Sequence, residues 1–263
     1  MLALLLALAG IGILAYPPLS NYVNLLDGSS AIQQLHSTID QIPSQALSQQ
    51  RQLAQDYNSA LLAADYSDLF SEASSVPDAY GDILDFGGGM MGYLEIPKID
   101  LRLPILHGVS EDVLSRAVGH LPQSSFPIGE TGCHGVLTGH TGLPSAALFT
   151  DLIQLELGDR FSVLILGQEL TYQVDQILTV LPNELQALAI DPEKDLCTLV
   201  TCTPYGINSH RLLVRGQRVE TSVEATALLT RSPATPAMPP VLILAFAIAA
   251  ALVIAIVFIM IKK

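Results

Sequence analysis

Basic residues are scarce in this chain: 12 lysines and arginines stand against 25 aspartates and glutamates, a formal net charge of −13 over 263 residues. Binding to nucleic acid needs clustered Lys and Arg to neutralise phosphates, so that class of function is excluded. The acidic balance fits a well-solvated domain, with attraction for a basic partner as a lesser consequence. Cysteine is scarce too, at three residues. In an exported chain an odd number leaves at least one thiol unpaired, and such a thiol is a candidate nucleophile. The sequence has no closely spaced His/Cys set of the zinc type, no acidic loop of the EF-hand type and no internal repeat. It therefore calls for no metal and no cofactor.

What the chain has in quantity is apolar residues at both ends. Val241 to Ile261 is an unbroken apolar run of 21 residues, preceded by Pro239-Pro240 and followed by Lys262-Lys263. At about 1.5 Å rise per residue it spans a bilayer core of about 30 Å. The two lysines put the C-terminus in the cytoplasm by the positive-inside rule. Leu2 to Tyr16 is a shorter apolar run with no basic residue before it, and Tyr16-Pro17-Pro18 follows in place of a clear Ala-x-Ala site. It reads as an uncleaved membrane anchor rather than a signal peptide, with a basic leader expected upstream. With both ends at the membrane, residues 17 to 238 lie on the extracytoplasmic side.

Between these ends the pattern changes twice. Residues 30 to 64 read as two helices, one with the stripe Ile32, Leu35 and Ile39, the other with Leu47, Leu53, Tyr57 and Leu61. Pro43 divides them, because proline is tolerated only in a helix's first turn, and Ser44 is the candidate cap. Residues 65 to 90 carry Asp, Ser, Gly and Pro in quantity and read as a mobile loop. Short β runs follow at 92–96, 101–106, 135–138, 160–166, 169–181, 196–202 and 211–219, which together predict a closed or nearly closed barrel. Short helices are expected at 110–117 and 183–188. Residues 220 to 240, rich in Thr, Ala, Ser and Pro, read as a linker to the second anchor.

The chemistry centres on Thr198-Leu-Val-Thr-Cys202, a β-branched run that delivers a thiol to the end of a strand. A thiol is a weak nucleophile at its free pKa of about 8.5 and needs an imidazole or a positive charge beside it. Six histidines compete for the base: His36, His107, His120, His134, His140 and His210. His140 follows a β run and is flanked by glycine-bearing turns, where function often sits. His134 is its main rival, although a histidine there is more often a structural hydrogen-bonding residue. Arg211 opens the last strand and could hold an oxyanion, with Arg215 and Arg218 as alternatives. A papain-like site would need an Asn or Asp to orient the histidine, and Asn208, in a turn, is the only nearby candidate.

Parity separates the other thiols from Cys202. Cys197 is five residues before it and Cys133 seven before His140, and odd separations along a strand project side chains to opposite faces. Cys197 is also about 16 Å along the strand from Cys202, too far for a disulfide. A bridge between Cys133 and Cys197 stays open as a diagonal, geometrically marginal pairing, with two buried thiols as the alternative.

The stretch from Thr198 to Gly216, with Cys202-Thr-Pro-Tyr-Gly-Ile-Asn-Ser-His-Arg211 at its centre, and His134-Gly-Val-Leu-Thr-Gly-His-Thr-Gly-Leu-Pro144 closely resemble the sortases. The match is greatest to the class C, or pilin-polymerising, branch, and spans roughly residues 90 to 220. The resemblance implies a mainly β fold: an eight-stranded sortase barrel with short helices, preceded here by a helical extension and flanked by membrane segments. It implies that Cys202 attacks the Thr–Gly carbonyl of a Leu-Pro-x-Thr-Gly sorting signal, that His140 moves protons and that Arg211 acts on the oxyanion or the substrate backbone. The thioacyl group would then pass to a lysine amine of a pilin; a cell-wall precursor as acceptor, or water in a secreted cysteine protease, are the alternatives. Class C members often cover the cysteine with a lid carrying an Asp-Pro-aromatic motif. Here Asp68 and Phe70 fit that pattern, but Leu69 replaces the proline, which weakens the assignment.

The chain is thus expected to divide into an anchor (1–16), a helical extension (17–64), a lid-like loop (65–90) and a catalytic barrel (91–220). A linker (221–240), a transmembrane helix (241–261) and a short cytoplasmic tail (262–263) complete it. Its partners would be sorting-signal proteins, an acceptor amine and the membrane.

Overall fold

Seven β runs with few intervening helices leave backbone edges that only sheet closure removes. A computed structural model of the chain describes residues 2–64, 76–221 and 236–261, and in it the sheet closes. Its strands are β1 (Met90–Ile96), β2 (Leu101–His107), β3 (Val118–His120), β4 (Cys133–Thr138), β5 (Arg160–Ile165), β6 (Gln168–Val180), β7 (Asp195–Thr203) and β8 (His210–Arg218). They run around the barrel in the order β1-β2-β3-β4-β7-β8-β6-β5. The pairs β2/β3 and β4/β7 are parallel and the others antiparallel. β3 is the strand that the sequence pattern does not reveal. Three residues show no alternation, yet they bridge β2 to β4 and complete the ring.

Inward-facing residues fill the barrel: Leu94, Ile105, Leu137, Phe161, Val163, Tyr172, Leu199 and Val214 are all buried in one cluster. Burying each such side chain contributes roughly 1.5–3 kcal/mol, so the barrel interior is the main stabilising element. A smaller cluster lies outside the barrel wall, where Val136 and Leu213 pack with Leu178, Val180, Leu185 and Leu188. The expected helices at 110–117 and 183–188 are shorter than the pattern suggested. One is the single turn α3 (Glu111–Leu114), and the other is a 3-10 turn at Gln186–Leu188.

Three expectations for the N-terminal half change. First, the apolar anchor and the first helix of the extension are one helix, α1 (Leu2–Ile39), which runs through Pro17 and Pro18. Its Ile32 and Leu35 are buried against Met90, Tyr93 and Leu106 of the barrel. Second, α2 (Ser44–Ala63) docks with Ala54 and Asn58 buried and with Leu47 and Tyr57 of the expected stripe packed against the core, while Leu53 of that stripe is 46% exposed. Pro43 occupies the cap position and Ser44 makes no capping bond. Asn58 joins this face through polar backbone: it accepts from Phe126 N at 2.7 Å and donates to Phe126 O at 2.9 Å, satisfying a buried loop. Third, residues 76–89 are not a free loop. Tyr80, Ile83 and Leu84 are buried, and the Tyr80 hydroxyl donates to the His120 carbonyl and accepts from Gly108 N, each at 3.0 Å.

α4 (Pro240–Ile261) packs along α1. Both helices are long and apolar enough to cross a membrane.

Candidate active site

Register brings the three proposed residues together. Cys202 and Arg211 are directly paired across the antiparallel β7/β8 ladder. β4 runs parallel to β7 with Thr138 opposite Val200. That ladder continues one step further, through Gly139 N donating to Val200 O at 3.0 Å and Thr201 Oγ1 donating to Gly139 O at 2.7 Å. His140 therefore leaves the sheet level with Cys202. Adjacent strands lie about 4.8 Å apart, so the backbone positions of Cys202 on β7, Arg211 on β8 and His140 just past β4 are neighbours at one level of the sheet.

Alternation puts them on the outer face. Cys197, Leu199, Leu212 and Val214 belong to the barrel interior, while Val200 and Leu213 belong to the outer cluster. Cys202 and Arg211 share the parity of Val200 and Leu213, and both are partly exposed. The apolar wall beside them, with Val180, Leu185 and Leu188, could receive an extended peptide's side chains.

Local packing fixes the approach of His140. Gly139 allows the Phe149 ring to lie on the backbone, since a Cβ there would meet Phe149 Cδ2 at 2.7 Å. Phe149 N donates to His140 O at 2.9 Å, which closes residues 140–149 into a loop. Gly142, at φ +75°, similarly accommodates Tyr205 from the turn after Cys202. The imidazole Nε2 lies 3.3 Å from Glu111 Oε2, an exposed carboxylate on α3. Glu111 is a site neighbour that sequence reasoning missed, because nothing in a pattern links it to a histidine 29 residues away. Asn208 takes no part in orienting the ring. Its carbonyl accepts from Arg211 Nη1 at 3.3 Å, and the His210 carbonyl accepts from the same atom at 3.1 Å. The guanidinium is thus folded over the turn with Nε and Nη2 uncommitted among the described residues.

The competing residues have other partners. His134 is buried, with Nδ1 2.9 Å from Ala189 O and Nε2 2.7 Å from Thr198 Oγ1, and burial lowers its pKa to about 4. His120 is also buried, between the Tyr80 hydroxyl and Ser125 O, and burial lowers it to about 4 as well. His107 bridges the carbonyls of Gly89 and Ile83, His36 meets the Tyr93 hydroxyl and His210 meets Ser209. Arg215 pairs with Asp175 at 2.7 Å, and Arg218 bonds the Thr171 carbonyl.

Cys133 and Cys197 do not form a disulfide; both are free, buried thiols. Gly135, not Cys133, stands opposite Cys197, so the two cysteines are offset by two residues across the ladder. Such diagonal neighbours are about 7–8 Å apart, beyond disulfide reach. The Cys133 thiol instead accepts from Asn58 Nδ2 at 3.3 Å. Burial pushes Cys133 up to about 12 and Cys197 well above the usual thiol range, so neither ionises near neutral pH. Asp68 and Phe70, the expected lid residues, lie outside the described residues.

This geometry has close relatives. A family model described as the sortase domain matches residues 94–219. Sortase D of Bacillus subtilis is 34% identical over 135 residues, covering 50% of this chain and 65% of that one. Sortase A of Bacillus anthracis is 28% identical, covering 51% and 62%. The chain thus spans a little under two thirds of the length of these relatives. Solved structures match over more of the chain. Sortase C1 of Streptococcus agalactiae is 42% identical, with a TM-score of 0.66, covering 73% of this chain and 100% of that one. Sortase C of Streptococcus pneumoniae is 41% identical, also at 0.66, covering 73% and 97%. The barrel order, the strand-end cysteine and this degree of identity over complete sortase C chains have one explanation, which is that the chain belongs to the sortase family.

Proposed function

We propose that the protein is a membrane-anchored cysteine transpeptidase of the class C type, which joins a sorting-signal protein to an amine, with a pilin lysine as acceptor. The observation that carries this reading is the register that pairs Cys202 with Arg211 across β7 and β8 and leaves His140, two residues past the end of β4, level with them. Residues 91–220 would carry the chemistry, on the extracytoplasmic side, with α4 directed toward the cytoplasm. The helical extension and the likeness to sortase C structures support the class C assignment; one of those relatives is described in terms of pilin substrate specificity.

In this mechanism the Cys202 thiolate attacks the Thr carbonyl carbon of a Leu-Pro-x-Thr-Gly signal. Negative charge gathers on the carbonyl oxygen, where Nε and Nη2 of Arg211 stabilise it. As the C–N bond breaks, protonated His140 gives its proton to the leaving glycine nitrogen, and a thioester remains on Sγ. The acceptor amine then adds to the thioester carbonyl and gives a proton to His140. The C–S bond breaks, and the thiolate and imidazolium are restored. Removal of Cys202 deletes the nucleophile, a loss expected to exceed about 10³-fold.

The full chain in detergent, incubated with a sorting-signal peptide and a lysine-containing acceptor, tests this. Mass spectrometry should find a peptide–acceptor conjugate and a thioacyl adduct on wild type, with neither on Cys202→Ala. Hydrolysed peptide without conjugate would make the protein a protease, and wild-type turnover by Cys202→Ala would remove Cys202 from the site.

A further inference from the structure

The loop that begins at His140 is held by the membrane helix. Its neck is the His140–Phe149 hydrogen bond, and its tip is residues 145–147. Two backbone groups at the tip bond to α1: Ser145 O accepts from Asn24 Nδ2 at 2.7 Å, and Ala147 N donates to Asn21 Oδ1 at 2.8 Å. A backbone carbonyl only accepts and an N–H only donates, so the orientation of each amide is set by its partner. Asn21 and Asn24 are three apart and share one face of the helix. Asparagine is a poor residue for a helix interior, and here both side chains are spent on one loop.

The helix is docked beyond this point as well. A Cβ on Gly28 would touch Pro104 at 3.4 Å, and Ile32 and Leu35 are buried against the barrel. Contacts thus run from Asn21 to His36, about 22 Å of helix at 1.5 Å per residue. Asn21 is five residues, about 7.5 Å, past the end of the apolar run at Tyr16. The His140 loop therefore meets α1 where the helix leaves its apolar segment.

We propose that Asn21 and Asn24 are positioning residues for His140: by gripping the tip of its loop, the anchoring helix sets the imidazole's place beside Cys202. This rests on the acid–base role given to His140 above. An imidazole displaced by about 1 Å can cost up to 10²-fold in rate, so the tether acts on the rate through His140 although it touches no substrate.

The test uses the full chain in lipid nanodiscs, with kcat, KM and the pH–rate profile for peptide transfer, thermal unfolding, and hydrogen exchange over residues 141–149. Asn24→Ala and Asn24→Asp both lose the donor. Each should lower kcat about tenfold, leave KM within twofold, change the shape of the pH–rate profile, and raise exchange in the loop. Asn21→Ala should behave alike, whereas Asn21→Asp keeps the acceptor and should restore most of the loss. Variants with wild-type kcat, pH profile and loop exchange would overturn the proposal. So would a fall in activity that tracks the unfolding temperature without rescue by Asn21→Asp. If the wild type itself makes no thioester, the acyl-transfer reading fails, and loop exchange still decides whether the tether exists.

Discussion

Strand β4 with the two residues that follow it, and strand β7 beside it, present the same chemistry twice, an imidazole from one and a thiol from the other. At the buried end are His134 and Cys197, and at the open end His140 and Cys202. Burial holds His134 neutral and Cys197 protonated, and both are satisfied by packing or by bonds to the fold. The open pair sits where β4 stops and β7 runs on, on the outer face, next to Arg211. Residue type is common to both ends; parity along the strand and distance from its end make the difference.

The two histidines give the largest test of this contrast. His140→Ala should reduce kcat by about 10²–10⁴-fold, with the unfolding temperature unchanged. His134→Gln should do the reverse, removing about 1–3 kcal/mol of stability through its buried partners while kcat stays within a few-fold. Transfer kinetics and thermal melts on both variants decide it, and loss of rate in His134→Gln alone would exchange the two roles.

The buried groups also predict a pH dependence. His120 and His134 titrate near 4 in the folded chain and near 6.5 when unfolded, so the unfolded chain binds more protons between those values. Their stability contribution is complete above pH 6.5 and is lost as pH falls toward 4, up to about 3 kcal/mol for each. Asp195 opposes this. Burial raises it from 3.8 to about 6, so its contribution is complete below 3.8 and is lost as pH rises through 6. Two imidazoles against one carboxyl leave a net loss on acidification, and unfolding temperatures at pH 7 and pH 4.5 should show it; equal values would contradict the burial argument.

Alkylation is the finest probe. Iodoacetamide at neutral pH should modify only Cys202 in the native chain and all three cysteines once it is unfolded. Native modification of Cys133 or Cys197 would break the contrast. If Asp68 and Phe70 cover the thiol, as the sequence expectation has it, Asp68→Ala or Phe70→Ala should raise the Cys202 rate a few-fold, and an unchanged rate counts against a cover.

Much of the barrel was legible because alternation and turn residues mark strands of five or more residues. Val118–His120 was not, because a three-residue strand has no period and is set by its neighbours. One position of the α2 docking face was misread for a related reason, although Leu47 and Tyr57 of the expected stripe do pack on the core. Apolar spacing favoured Leu53, whereas the buried position went to Asn58, whose partners lie 68 residues away. The burial of Tyr80 and Leu84 was hidden by a loop-like composition around them.

The sequence by itself determined the two long apolar segments, the barrel class and the motifs around Cys202, His140 and Arg211, because length, periodicity and local spacing are properties of a line. Strand parity alone set Cys197 apart from Cys202. Only the tertiary structure decided that the three candidates lie at one level of the sheet, that Cys133 and Cys197 stay unpaired, and that Glu111, Asn21 and Asn24 reach the histidine loop. Those relations depend on register and docking between segments separated by 9 to 126 residues, which no local pattern encodes.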